Sequence, residues 1–141
     1  MKLLSIDKGN KQSLGVKTDT GIVDVERALS LYPAENVATT VMEVIENGPE
    51  GVMQLAEFMT HLPDQDDRIV IDPNGLAWGP AVPEPNKIIC IGLNYRKHAD
   101  ETKMPYPDQP ILFSKFNNAL TGHQHHITIP SVTKKLDFEA E

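Results

Sequence analysis

Apolar and polar residues alternate with a period of two over the first 25 positions. Leu4 and Ile6 share one face of Lys2–Asp7, and Leu14 and Val16 share one face of Ser13–Thr18. A third run covers Gly21–Val25. Period-two alternation is the signature of β-strands. Asp7-Lys-Gly-Asn10 and Asp19-Thr-Gly21 supply turn residues between the runs, so an antiparallel meander is predicted. Asp24 is placed to cap a short helix through Leu31, which Tyr32-Pro33 ends.

The period then lengthens. Thr39 or Thr40 can cap a helix over Val41–Glu46, with Val41, Val44 and Ile45 at helical spacing, and Asn47-Gly-Pro49 stops it. Val52, Leu55, Met59 and Leu62 recur at i, i+3, i+7 and i+10, an amphipathic helix whose Met and Phe residues are core candidates. His61 falls at its C-terminus, where a cation favours the helix dipole. A polar loop, a short strand over Arg68–Ile71 and a turn at Asp72-Pro-Asn-Gly75 follow.

Gly79–Pro85 holds three prolines in seven residues, which excludes regular helix or a central strand. It predicts a boundary: a small α+β domain over residues 1–80, a linker over 81–86 and a second domain from 87. In that second part Lys87–Ile91 is an apolar strand, and Gly92 and Asn94 open a loop. Met104–Pro110 holds another three prolines and predicts an extended loop. Ile111–Phe116 and Ile127–Pro130 read as further strands.

Two stretches carry candidate chemistry. His98 and Glu101 lie three apart, so a helical turn over Tyr95–Thr102 makes them neighbours on one face. A carboxylate beside an imidazole orients the ring and raises its basicity, which suits a general base. The same spacing also occurs on plain solvated helices. At the other end, Asp137, Glu139 and Glu141 alternate with Leu136, Phe138 and Ala140. As a strand this puts three like charges on one face, which is costly unless solvent or a cation relieves it. Two readings are open: a charged edge strand protected from mispairing, or an oxygen ligand set for a hard divalent ion. His123 and His125 alternate as strand ligands can.

Charge narrows the function classes. Thirteen Lys and Arg stand against twenty Asp and Glu, a net charge of −7 in 141 residues. Without basic runs this argues against nucleic acid or an anionic membrane surface as partner. The lone cysteine, Cys90, allows no intrachain disulfide and reads as a core residue. The N-terminus reaches Asp7 too early for a signal peptide and no stretch approaches transmembrane length, so a cytoplasmic location is expected.

Lys87-Ile-Ile-Cys-Ile-Gly-Leu-Asn-Tyr-Arg-Lys-His98 with Glu101, Pro110–Lys115, Gly122, Ile129-Pro130 and Asp137-Phe-Glu-Ala-Glu141 together resemble the fumarylacetoacetate hydrolase family. The resemblance covers most of the last 55 residues, whereas the first 80 match only in general character. It implies an α+β chain whose second part opens a mixed, mostly β catalytic domain. It implies a divalent-metal-dependent enzyme acting on oxo-acids through a stabilised enolate. Hydrolysis of acylpyruvate-type substrates, oxaloacetate decarboxylation, and isomerisation or hydration of dienoates all fit. In that scheme Glu139 and Glu141 hold Mg²⁺ or Mn²⁺, and His98, oriented by Glu101, moves the proton. Tyr95, Arg96 and Lys115 contact substrate, and the protein is a homodimer. The family's third carboxylate ligand has no counterpart up to Glu141, so the 141-residue chain alone is expected to be inactive. The alternative is a non-catalytic fragment or degenerate homologue that binds a partner.

Overall fold

The computed structural model describes residues 1–63 and 65–138. The chain is α+β and divides into two units. The first comprises Met1–Glu84 with Leu120–His125; the second comprises Pro85–Ala119 and the described residues from His126 onward.

The first unit is built on a four-stranded antiparallel sheet in the order β1 (Lys2–Asp7), β2 (Gln12–Lys17), β3 (Ile22–Asp24) and β4 (Val70–Ile71). The register pairs Leu3 with Val16, Ser5 with Leu14, and Val16 with Val23. Directly paired side chains share a face, so Leu3, Leu14, Val16 and Val23 form one apolar surface that also carries the buried Ser5. Leu4 and Ile6 point to the opposite face, opposite Gly15 and Ser13.

Asp24 ends β3 and caps α1 (Val25–Leu31), its carboxylate accepting from the Arg27 N–H at 3.3 Å. The carboxylate is buried, and Lys8 Nζ at 2.9 Å compensates the charge, since a buried charge left unpaired is strongly destabilising.

Thr40 caps α2 (Val41–His61) in a reciprocal box. Its hydroxyl accepts from the Glu43 N–H at 3.1 Å, and the Glu43 carboxylate accepts from the Thr40 N–H at 3.3 Å. The two helical stretches read from the sequence form one element with a break at Gly48, whose φ of 59° and ψ of −141° are non-helical. Glycine tolerates that conformation, and Pro49 then restarts the helix where its missing N–H costs nothing.

Phe58 joins Leu55 in the buried stripe of α2, whereas Ile45 and Val52 are exposed. Val41 and Val44 face inward in the first half, and Gly51, Leu55 and Phe58 in the second, so Ile45 and Val52 fall just outside the stripes that their spacing suggested. Leu55 and Phe58 pack with Leu14, Val16, Val23, Val25, Ala28, Val44 and Ile69 in one core. Truncating a fully buried residue such as Leu55 to alanine costs about 2–5 kcal/mol.

Residues 77–79 run along the free edge of β1. Asp7 donates its N–H to the Ala77 carbonyl and Gly79 donates to Ser5. Trp78 also meets His123 edge-on at 5.6 Å. These contacts explain why Leu120–His125 belongs with the first unit rather than with the chain from residue 87.

The second unit carries an antiparallel pair, β5 (Ile88–Gly92) and β6 (Ile111–Lys115), with the helix α3 (Arg96–Thr102) between them in sequence. The strand expected over Ile127–Pro130 is not formed, and Leu136–Phe138 is not strand either. Alternation supplies a face, but a strand also needs a neighbour for its N–H and C=O groups, and no described residue provides one. Asp137 instead accepts the Phe138 N–H at 2.9 Å. Among the described residues, no helix is long and apolar enough to cross a membrane.

Candidate functional site

The candidate residues hang on β5 and the turn that follows it. Gly92 ends the strand opposite Ile111, and Leu93 takes a positive φ of 52°, turning the chain into Tyr95, the exposed first cap of α3. Arg96, His98 and Glu101 then lie on α3. His98 and Glu101 stand one helical turn apart, as their spacing predicts, with His98 partly buried and Glu101 exposed.

The helix stops at Lys103, which adopts the left-handed conformation at φ 57°. Met104 donates its N–H to the Ala99 carbonyl at 2.9 Å, closing the end as a glycine ordinarily would. This reversal sends the Pro-rich segment back along α3. Tyr106 donates its hydroxyl hydrogen to Asp100 Oδ1 at 2.7 Å, and the Arg96 guanidinium lies 5.6 Å from the centre of the Tyr106 ring. The bond to the Asp100 carboxylate raises the Tyr106 phenol above its usual pKa of 10, because the proton is held between the two oxygens.

A cleft of about 340 Å³ opens here, lined by Ile91, Asn94, Arg96, Tyr106, Asp108 and Gln109 with neighbouring prolines. It combines one cation, several hydrogen-bonding groups and an apolar wall, the composition of a site for a small polar ligand. Of the sequence candidates among the described residues, only Arg96 lines it. His98 and Glu101 stand further along α3, and Tyr95 lies beside it in sequence without lining it. Lys115 is at the end of β6, paired with Ile88, its ammonium 5.8 Å from the Phe113 ring centre.

Glu139 and Glu141 lie outside the described residues. Among the described residues no three His, Cys, Asp or Glu side chains are grouped to hold a metal ion. The donor chemistry of the two glutamates, carboxylate oxygen alone, suits Mg²⁺ or Mn²⁺. The structure adds Tyr106, Asp100, Asp108 and Gln109 to the neighbourhood of Arg96. An aromatic residue between two prolines was the available signal for Tyr106, since such a segment is stiff enough to hold a ring in one place.

Residues 87–141 match the family described as fumarylacetoacetate (FAA) hydrolase, C-terminal. This region is similar to the catalytic part of fumarylacetoacetate hydrolase family proteins and supports reading the chain as part of such a protein. It is 53% identical over 58 residues to the fumarylacetoacetate hydrolase domain-containing protein 2 homolog of Dictyostelium discoideum, covering 41% of this chain and 19% of that protein. It is 31% identical over 122 residues to the mitochondrial oxaloacetate tautomerase FAHD2A of Bos taurus, covering 86% of this chain and 35% of that protein. The fold resembles a crystal structure of a Mycobacterium smegmatis protein described as HpcE, with a TM-score of 0.66 and 23% identity over 93% of this chain and 41% of that one. The chain thus spans about a third or less of the length of these curated relatives.

Proposed function

We propose that this chain forms the N-terminal unit and the opening of the catalytic domain of an enzyme that acts on small oxo-acids by moving a proton next to a carbonyl. The observation that carries the reading is α3. It sets His98 and Glu101 one turn apart and places Arg96 over a polar cleft, inside the stretch that matches the family.

In this reading His98 takes the proton from the carbon beside the keto group, and Glu101 orients the ring. A positioned imidazole is effective because its pKa lies close to working pH. Arg96 receives the substrate carboxylate, with Tyr95 and Lys115 as further contacts. Glu139 and Glu141 are the residues that would hold Mg²⁺ or Mn²⁺. Such an ion supplies stabilisation of the negative charge that develops on the keto oxygen.

The bovine relative's name supports tautomerisation of oxaloacetate as the first reaction to test; acylpyruvate hydrolysis and decarboxylation are the further possibilities of the same chemistry. The experiment is an assay of the full-length protein that carries this chain, with and without added Mg²⁺, against enol-oxaloacetate, oxaloacetate and acylpyruvates. Metal-dependent turnover of one of them supports the reading. No turnover of any, with the metal present, points to the non-catalytic alternative.

A further inference from the structure

We propose that Tyr106 is a positioning residue that fixes the Arg96 guanidinium for the carboxylate of an oxo-acid, an inference that rests on the function proposed above. Arg96 and Asp100 are four apart on α3, and such a pair ordinarily meets directly along the helix face. Tyr106 comes between them. Its hydroxyl engages Asp100 Oδ1 at 2.7 Å while its ring lies 5.6 Å from the Arg96 guanidinium carbon.

Two consequences follow from chemistry. The Asp100 carboxylate is occupied by a phenol, and among the described residues no carboxylate forms an ion pair with Arg96. The guanidinium edge therefore keeps its fork of N–H donors for an incoming carboxylate, the planar partner it suits best. The Tyr106 ring also lies 5.6 Å from the Arg96 guanidinium carbon, a cation–π contact that limits the side chain's freedom, so less is lost when a ligand binds.

The rest of the segment explains how a loop residue achieves this. Lys103 reverses the chain at α3's end, and Pro105 and Pro107 flank Tyr106, each with φ restricted by its ring. Tyr106 and Arg96 both line the cleft. Ligand, guanidinium and phenol thereby share one wall.

The test separates ring from hydroxyl. In the 141-residue chain, the Arg96 side-chain methylene signals should be shifted upfield by the Tyr106 ring, retain that shift in Tyr106→Phe and lose it in Tyr106→Leu. In the active protein, Tyr106→Leu should raise KM for the oxo-acid by roughly two- to fivefold, the factor an exposed cation–π contact is worth, while kcat stays unchanged. Tyr106→Phe should restore most of the difference. A fall in kcat equal to the loss in kcat/KM, or Arg96 signals unshifted in the wild type, overturns the proposal. If the wild type turns over no oxo-acid, the proposed function fails by itself, and pyruvate titrated against the Arg96 signals decides this point. Weaker binding in Tyr106→Leu upholds it and equal binding overturns it.

Discussion

Gly122 lies so close to Trp78 that a β-carbon on it would stand 1.7 Å from the Trp78 carbonyl oxygen and 2.7 Å from its carbon. That carbonyl belongs to the segment hydrogen-bonded along the edge of β1, so the backbone cannot retreat without breaking the edge. Gly122→Ala should therefore destabilise the first unit by roughly 1–3 kcal/mol, the usual cost of overpacking. Gly75→Ala, where nothing lies within 4 Å, is the control and should stay within about 0.5 kcal/mol of wild type. Denaturant unfolding of the two variants checks both numbers.

Asp66 gives a pH-dependent prediction. The Arg68 guanidinium holds it at 2.8 and 2.9 Å and the Tyr32 hydroxyl at 2.7 Å, and these bonds push its carboxyl far below the ordinary 3.8. A depressed folded-state pKa means stability that is fully present above the unfolded value and is lost as pH falls through the folded one. Asp66→Asn should lower the melting temperature at pH 7, and the difference from wild type should shrink steadily below about pH 4, where the unfolded carboxyl protonates. Melting curves between pH 7 and pH 2 test the sign; a gap that widens on acidification contradicts it.

Assembly is the third prediction. We expect a homodimer, a property carried by the family reading. Ile89, Leu112, Phe116 and Phe138 of the second unit are 61%, 65%, 81% and 87% exposed, so that unit has apolar surface to cover. Sedimentation of the protein at micromolar concentration should report two copies, and a monomer there counts against the expectation.

The local signals in the first unit were legible because they are strong and short-ranged. Asp24 was readable as a cap and Thr40 as one of two adjacent candidates, and the three strand runs lie within one or two residues of β1, β2 and β3. The edge pairing of residues 77–79 with β1 was not legible. It joins segments some seventy positions apart in sequence, with no periodicity of its own. Ile127–Pro130 failed for the converse reason: it has strand composition, but composition does not provide a neighbour. In the candidate site, the helical turn that the His98–Glu101 spacing requires is supplied by α3. Tyr106 carried only a weak signal, its place between two prolines, because its contacts with Arg96 and Asp100 depend on a left-handed Lys103, a residue type that gives no notice of that conformation.

The glutamates furnish the fourth prediction. Two carboxylates two positions apart repel when ionised together, and a divalent ion that binds only the folded state stabilises it by mass action. Mg²⁺ should raise the melting temperature of the active protein, and Glu139→Gln or Glu141→Gln should each abolish the rise. Phe138→Leu should leave it intact. Glutamine variants that respond to Mg²⁺ as the wild type does would return these residues to the charged-edge reading.

The central claim is that His98 on α3 moves the proton. Its most direct test is the steady-state rate of His98→Ala on whichever oxo-acid the wild type turns over, with folding checked by circular dichroism. The account predicts a loss of roughly 10²–10⁴-fold in kcat, the range of a positioned general base, in a variant that melts close to wild type. A folded His98→Ala protein that keeps its rate within about threefold of wild type, far short of that range, would contradict it.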